Sequence, residues 1–356
     1  MNFEEEHDKE KAMPRMIRSR RVDRCYLCGS TGDMLYHGLR DCLFDAPGEW
    51  DVRQCTALQC GLLWLDPMPL EEDVLLAYQK YYTHDSAQAD GRVSFRRRIS
   101  GLLDRYYLSR KYGYDADGHL WMKWAGAYRS FQPLRSARLD FSVMYLPSNA
   151  GARLLEVGCG GGETLRTLLD HGWLAEGVDF DPVAVAVAGR RGLQVRQGTL
   201  EEQHYPDASF DAITMSHLVE HVHDPVKLLA ECGRILKPGG SIVVVTPNVS
   251  SLGHRFYRSA WRSLDLPRHL HLFTPRALRA LAQSAGFGKS RMFTTVRESN
   301  NVFLGSRNIE RTGRYIWGSA QPRLLKKTAK IMALMERVCI AFSGFVGEEL
   351  VLIAER

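Results

Sequence analysis

The sequence predicts an α/β protein whose sheet is largely parallel and covered by helices on both faces. Three observations carry this. From Gly151 onward, short apolar runs ("RLLEV", "AEGVD", "LQVRQ", "FDAITM", "SIVVVT") alternate with helical stretches, the pattern of strand–helix–strand crossovers. Asp181-Pro182 and Asp224-Pro225 each pair a capping acid with proline at the first helical position. Gly172, Gly192 and Gly239 stand where helices would stop.

The elements follow in order. The 356 residues are 45% hydrophobic and 25% charged, ordinary for a globular chain and long enough for about two domains. The first segment, "MNFEEEHDKEKAMPRMIRSRR", is charged and lacks the apolar stretch of a signal peptide. Residues 1–24 are expected to be a disordered tail and the protein cytoplasmic. Residues 25–69 read as a small β module rich in cysteine and turn residues. Residues 70–150 read as a helical, basic cap or linker. Residues 151–356 hold the α/β domain, with "KSRMFTTVRE" as a sixth strand and "EELVLIAER" as the strand that closes the sheet. A helical insertion, 298–347, precedes that last strand. No apolar run approaches the ~20 residues of a membrane span. The net charge of +6 permits an anionic substrate, a nucleic acid or peripheral membrane contact and requires none of them.

"LLEVGCGGGETL" is a strand, a glycine turn and the start of a helix. Such a turn brings backbone N–H groups close to a ligand. Its glycines, Gly158, Gly160, Gly161 and Gly162, depart from the dinucleotide fingerprint, whose last position is Glu163 here. Glu156 sits two residues before the turn. A carboxylate there suits a ligand with an amino group and a sulfonium better than a pyrophosphate. Asp179 ends the second strand about twenty residues on, where an acid can accept from ribose hydroxyls. With "GVDFDP", "FDAITMSHLVEHVHDP" and "RILKPGGSIVVVTPN" in order, residues 151–288 resemble the class I S-adenosylmethionine-dependent methyltransferases. The resemblance implies a Rossmann-like seven-stranded sheet with one antiparallel strand. It implies that Glu156, Gly158, Gly160 and Gly162 surround the methionine part of S-adenosylmethionine. Asp179 would hold the ribose, Thr199 and Leu200 would flank adenine, and Ser216 and His217 would lie beside the sulfonium.

Cys25-x2-Cys28 and Cys55-x4-Cys60 form two knuckles. In a cytoplasmic chain closely spaced cysteines suggest metal rather than disulfide, and four thiolates suit a closed structural zinc site. Cys42 or His37 could replace one ligand. The layout resembles bacterial methyltransferases of sugar and secondary-metabolite pathways that carry a zinc-ribbon-like segment ending in "CGLLWLDPMP". Those relatives often have x2 in the second knuckle, against x4 here.

"SHLVEHVHDP" follows the fourth strand, at the ligand-binding end of a parallel sheet. His221 is the candidate general base, with Glu220 as its orienting partner, a role suited to an imidazole near neutral pH. "EH" at this place resembles small-molecule O-methyltransferases. A metal reading stands beside it. If the turn is helical, His217 and His221 share a face, and "LPRHLHLFTP" could add His269 or His271. That set is similar to the Glu/His metal site of some small-RNA 2′-O-methyltransferases. The long aromatic and basic stretch "NVSSLGHRFYRSAWRSLDLPRHLHLFTP", with Tyr81 and Tyr82, is expected to wall the acceptor pocket. Arg258, Arg262 and Arg268 would suit a phosphate on the acceptor. The expected function is methyl transfer to an oxygen, less favourably a carbon, of a small, glycan or lipid-linked acceptor. RNA methylation with the cysteine module as an RNA grip ranks second, and a non-catalytic binding subunit third.

Overall fold

The apolar runs after Gly151 pair as their alternation suggests. The computed structural model describes residues 16–78, 95–116, 126–316 and 322–356. The chain begins with β1 (Ser19–Arg20), β2 (Gly32–Leu39), β3 (Trp50–Cys55), β4 (Leu63–Asp66) and β5 (Met68–Pro69). A 3-10 segment, Glu71–Tyr78, precedes α1 (Phe95–Tyr112) and α2 (Pro133–Ser142). The alternating part runs β6 (Arg153–Val157), α3 (Glu163–Asp170), β7 (Leu174–Asp179), α4 (Pro182–Arg190), β8 (Val195–Gln197), β9 (Phe210–Ser216), α5 (Pro225–Ile235) and β10 (Leu236–Pro247). After it come α6 (Leu252–Tyr257), β11 (His271–Leu272), α7 (Pro275–Ser284), β12 (Lys289–Thr295), α8 (Ser299–Thr312), α9 (Arg323–Ser343) and β13 (Glu349–Glu355).

Seven strands form one sheet in the order β12-β13-β10-β9-β6-β7-β8. β13 is antiparallel to both its neighbours, and the pairs from β10 through β8 are parallel. This is the Rossmann-like sheet with one antiparallel strand. Leu154 and Leu155 point to opposite faces of β6, and both are fully buried, so both faces are covered. The helix starts are chemical. The Asp181 carboxylate accepts from the Val183 N–H at 2.8 Å and Asp224 from Lys227 at 2.9 Å, each satisfying an N–H that has no partner within its helix. Helices α8 and α9 lie between β12 and β13.

Two expectations change. Residues 16–24 are not tail. β1 pairs antiparallel with β5, and Arg18 donates twice to the buried Asp73 carboxylate, at 2.8 and 3.0 Å. A buried acid needs a charged partner, and the chain supplies it from this stretch. The cysteine module is also not self-contained. Its four-stranded sheet runs β11-β4-β3-β2, so the edge of β4 is covered by residues 271–272, from beyond β10.

Arg268 locks the two parts together. Its guanidinium is fully buried between Asp41, which accepts at 2.8 and 2.9 Å, and Asp265, which accepts at 2.7 Å. It also donates to the Ala77 carbonyl at 2.9 Å. Removing one member of such a cluster strands buried charge. Arg268→Ala is expected to lose about 3–5 kcal/mol of stability, read as a lower urea midpoint. A loss below 1 kcal/mol would show that the cluster is not a structural lock.

Candidate functional site

Strand order reverses between β6 and β9, and the crevice at the C-terminal ends of these strands is where such sheets bind ligands. Two cavities meet there. The first, about 350 Å³, is lined by Gly158, Asp179, Thr199 and Leu200, under a roof of Val74, Leu75 and Tyr78 from the 3-10 segment. The second, about 310 Å³, is lined by His217, Arg262, Asp265, His269, Arg297 and Glu349 among others. His221 lines both.

The first cavity is lined by four of the nine predicted cofactor residues, Gly158, Asp179, Thr199 and Leu200. Glu156 ends up fully buried behind the glycine turn, and its Oε2 has no hydrogen-bond partner. Burial, with Glu163 nearby, pushes its carboxyl up to about 8. A cationic group arriving there would restore the charge. The Gly160 N–H donates to Asp179 at 2.7 Å, and a Cβ on Gly160 would meet nothing within 4 Å, so the turn leaves open space. Gly162 differs: a Cβ there would stand 2.2 Å from the Leu193 side chain, which makes this glycine a packing requirement. Asp179 accepts from Gly160 and from the Asp181 N–H at 2.9 Å. Ser216 closes β9 beside this crevice and does not line the first cavity.

His217 faces the second cavity. Its Nε2 bonds Glu349 at 2.8 Å and its Nδ1 bonds Glu220 at 3.2 Å. Burial opposes its charge, but the hydrogen bonds and fields of Glu220 and Glu349 outweigh it and push the imidazole up to about 10. His217 therefore bridges two carboxylates, with the Arg297 guanidinium also 3.2 Å from its Nε2. The stretch after β9 is a turn, not a helix, and His217 and His221 both line the second cavity.

His221 has the opposite electrostatics. Burial, then the nearby His269, lower it to about 4. Its Nδ1 lies 3.1 Å from the Arg268 carbonyl and 2.9 Å from the Tyr78 hydroxyl. A carbonyl only accepts, so Nδ1 carries the hydrogen and Nε2 keeps the lone pair. His269 repeats the arrangement, with Nδ1 donating to the Ser263 carbonyl at 2.9 Å and Nε2 4.0 Å from Glu220. One ligand atom each from Glu220, His221 and His269 lies within 4.8 Å of the others. Glu220 is fixed by His217 and by the Thr246 hydroxyl, which donates at 2.8 Å. His271 belongs to β11 and stands apart from this group.

Other expectations fall differently. Arg268 is consumed by Asp41 and Asp265, so it cannot bind an acceptor phosphate. Arg262 lines the second cavity and Arg258 does not. Tyr81 and Tyr82 lie outside the described residues. Tyr78, which the sequence reading did not single out, packs edge-on against Phe180 at 6.1 Å besides meeting His221. The aromatic tract "AYQKYY" was the signal. The place of Tyr78 depends on the Arg18–Asp73 and Arg268–Ala77 anchors, which are non-local.

The four cysteines converge. Cys25 and Cys60 sulfurs are 3.7 Å apart, Cys28 and Cys55 3.4 Å, and all four lie within 4.8 Å of one another. Tetrahedral zinc with sulfurs at ~2.3 Å has S···S edges of about 3.8 Å, so the donor set fits. Cys42 instead bonds the Arg40 carbonyl, and His37 is an exposed neighbour of Asp51.

Residues 128–289 match the family model described as a methyltransferase domain. This stretch is therefore similar to methyltransferase domains, over somewhat less than half of the chain. Its relatives include a ubiquinone biosynthesis O-methyltransferase of Alkalilimnicola ehrlichii, 32% identical over 150 residues, covering 40% of this chain and 61% of the relative. Another of that name, from Xanthomonas oryzae pv. oryzae, is 34% identical over 153 residues, covering 41% and 60%. The chain thus spans about three fifths of the length of these curated relatives. A solved SAM-dependent methyltransferase from Archaeoglobus fulgidus superposes with a TM-score of 0.44 at 20% identity, covering 67% of this chain and all of that one. The matched residues hold β6 to β10, five of the seven strands of the sheet, while β12 starts at their end and β13 lies beyond them. The relatives cover about two fifths of the chain, and the cysteine module begins well before the residues the family model matches.

Proposed function

We propose that the chain transfers a methyl group from S-adenosylmethionine to an oxygen of a small hydroxylated acceptor, a glycan or lipid-linked precursor included. The observation that carries this is His221 standing between the two cavities. Glu156, Gly158, Gly160, Asp179, Thr199 and Leu200 hold the cofactor in the first. When bound, it supplies an electrophilic methyl group. The acceptor enters the second, and His221 meets its hydroxyl. The unprotonated Nε2 takes the proton as the oxygen attacks. Asp265, Glu298, Glu348 and Glu349 line the second cavity against Arg262 and Arg297, with Glu349 paired to Arg297 and Asp265 to Arg268. That favours a neutral polar acceptor over an anionic one. A structural zinc on Cys25, Cys28, Cys55 and Cys60 belongs to the same reading.

A second reading of the same site has its own support. Both His221 and His269 bond a backbone carbonyl through Nδ1, the arrangement that orients metal-binding imidazoles. With Glu220 they match a three-ligand set that keeps an open position. A divalent cation there would supply Lewis acidity toward the acceptor hydroxyl.

Calorimetry with S-adenosylmethionine tests the cofactor assignment. Glu156→Gln is expected to weaken binding roughly 10- to 100-fold, the 1.5–3 kcal/mol of a charge-assisted hydrogen bond. The free protein should not lose stability. Because burial raises the Glu156 carboxyl from 4.5 to about 8, the folded state binds the extra proton. This group therefore costs stability as pH rises through that window, and the amide removes the cost. Wild-type affinity in the variant would remove Glu156 from the site.

A further inference from the structure

Helix α9 presents three different faces. Ala329, Ala333 and Glu336 are buried against the protein, beside α8. At about 100° per residue, the opposite face carries Leu324, Ile331, Met335, Val338 and Phe342 within an arc of about 60°. All five are exposed, Phe342 by 87% and the others by 52–74%. Scattered exposed apolar residues are normal, but these five form one line over 21 residues, about 30 Å long. The helix carries five cations, Arg323, Lys326, Lys327, Lys330 and Arg337, and they occupy one edge between the two faces. Its one acid, Glu336, is buried. Next to the helix, Ser130 and Pro133 line a cavity with Arg337 and Ile340. Between them stands Phe131, 83% exposed.

We propose that α9 is an in-plane membrane anchor that docks on an anionic lipid surface. An apolar stripe flanked by lysine and arginine suits the interfacial region, where the stripe enters the acyl boundary and the cations meet headgroup phosphates. The helix lies along the surface and does not cross: no helix among the described residues is long and apolar enough to span a membrane. Charge selects the bilayer over a second copy of the chain. Pairing two such helices would bring basic edges together with no exposed acid on either helix to meet them. The docking goes beyond the methyl-transfer reading and does not depend on it. Joined to that reading it has a consequence. α9 packs on α8, whose Val302 lines the acceptor cavity, so a docked α9 holds that cavity near the lipid headgroups.

The test is flotation of the full chain with vesicles, with no methyl transfer involved. Binding is expected to vesicles containing phosphatidylglycerol, and much less to pure phosphatidylcholine. At roughly 1 kcal/mol per cation, the triple change Lys326→Gln, Lys327→Gln, Lys330→Gln should weaken binding on the order of 100-fold. The double change Ile331→Ser, Phe342→Ser should abolish it while circular dichroism stays native. Leu174→Ser, an exposed leucine in β7 far along the chain from α9, should bind like the parent. Equal flotation with and without anionic lipid overturns the proposal. So does sedimentation in which the serine variant turns a dimer into a monomer while vesicle binding persists.

Discussion

Replacing His221 by alanine is expected to lower kcat by about 10²- to 10⁴-fold, the range of a positioned base, with the Kd for S-adenosylmethionine changed by less than a few-fold. The first cavity keeps Gly158, Asp179, Thr199 and Leu200, and His221 touches it only at the junction. The companion variant His269→Ala separates the two readings of the site. If His221 works alone as a base, burial still holds it low, and losing His269 removes only the repulsive neighbour that adds to that. Its basicity then rises, and the pH–rate profile shifts with little loss at neutral pH. If the two imidazoles and Glu220 share a cation, His269→Ala is as damaging as His221→Ala. Full-rate turnover in His221→Ala would remove the residue from both mechanisms.

Much of this site was legible because its residues are close in sequence. The turn after β6, the acid ending β7 and the "EH" after β9 sit at strand ends, and a parallel sheet gathers strand ends in one crevice. The strands themselves were legible from apolar runs, and α4 and α5 from their Asp-Pro starts. What was not legible depends on long-range closure. Nothing local to His217 announces that Glu349, from the last strand, will hold its Nε2. Arg268 reads as an anion-binding residue until Asp41, 227 positions away, is found beside it. Gly162 reads as part of a ligand turn until Leu193 shows what its Cβ would strike. The cysteine module reads as a separate unit because the strand that completes it, β11, lies some two hundred residues later.

That last link makes the thiolate cluster matter for chemistry it does not touch. The chain is expected to carry one zinc per thiolate cluster, and removing it should unfold the module, since such sites contribute about 10–16 kcal/mol in small zinc peptides. The damage has a path to the site. Cys55 ends β3, and its N–H bonds the Leu62 carbonyl at the entry to β4. Leu65 in β4 bonds the Leu270 carbonyl at 3.0 Å, and the Leu270 N–H bonds the Glu220 carbonyl at 2.8 Å. Thr274, which caps α7, bonds the Cys60 carbonyl at 2.7 Å. Loss of zinc therefore loosens the backbone that sets Glu220, His221 and His269. A chelator alone is ambiguous, because it would also strip a cation from the Glu/His group. Cys28→Ser is not ambiguous: it breaks only the thiolate set. It should lose the zinc, lower the unfolding midpoint and cut turnover. Cys339→Ser, a cysteine of α9 away from that set, should behave as the parent. If Cys28→Ser keeps full stability and rate, the module is not a buttress for the site and the coupling through Leu270 carries no energy.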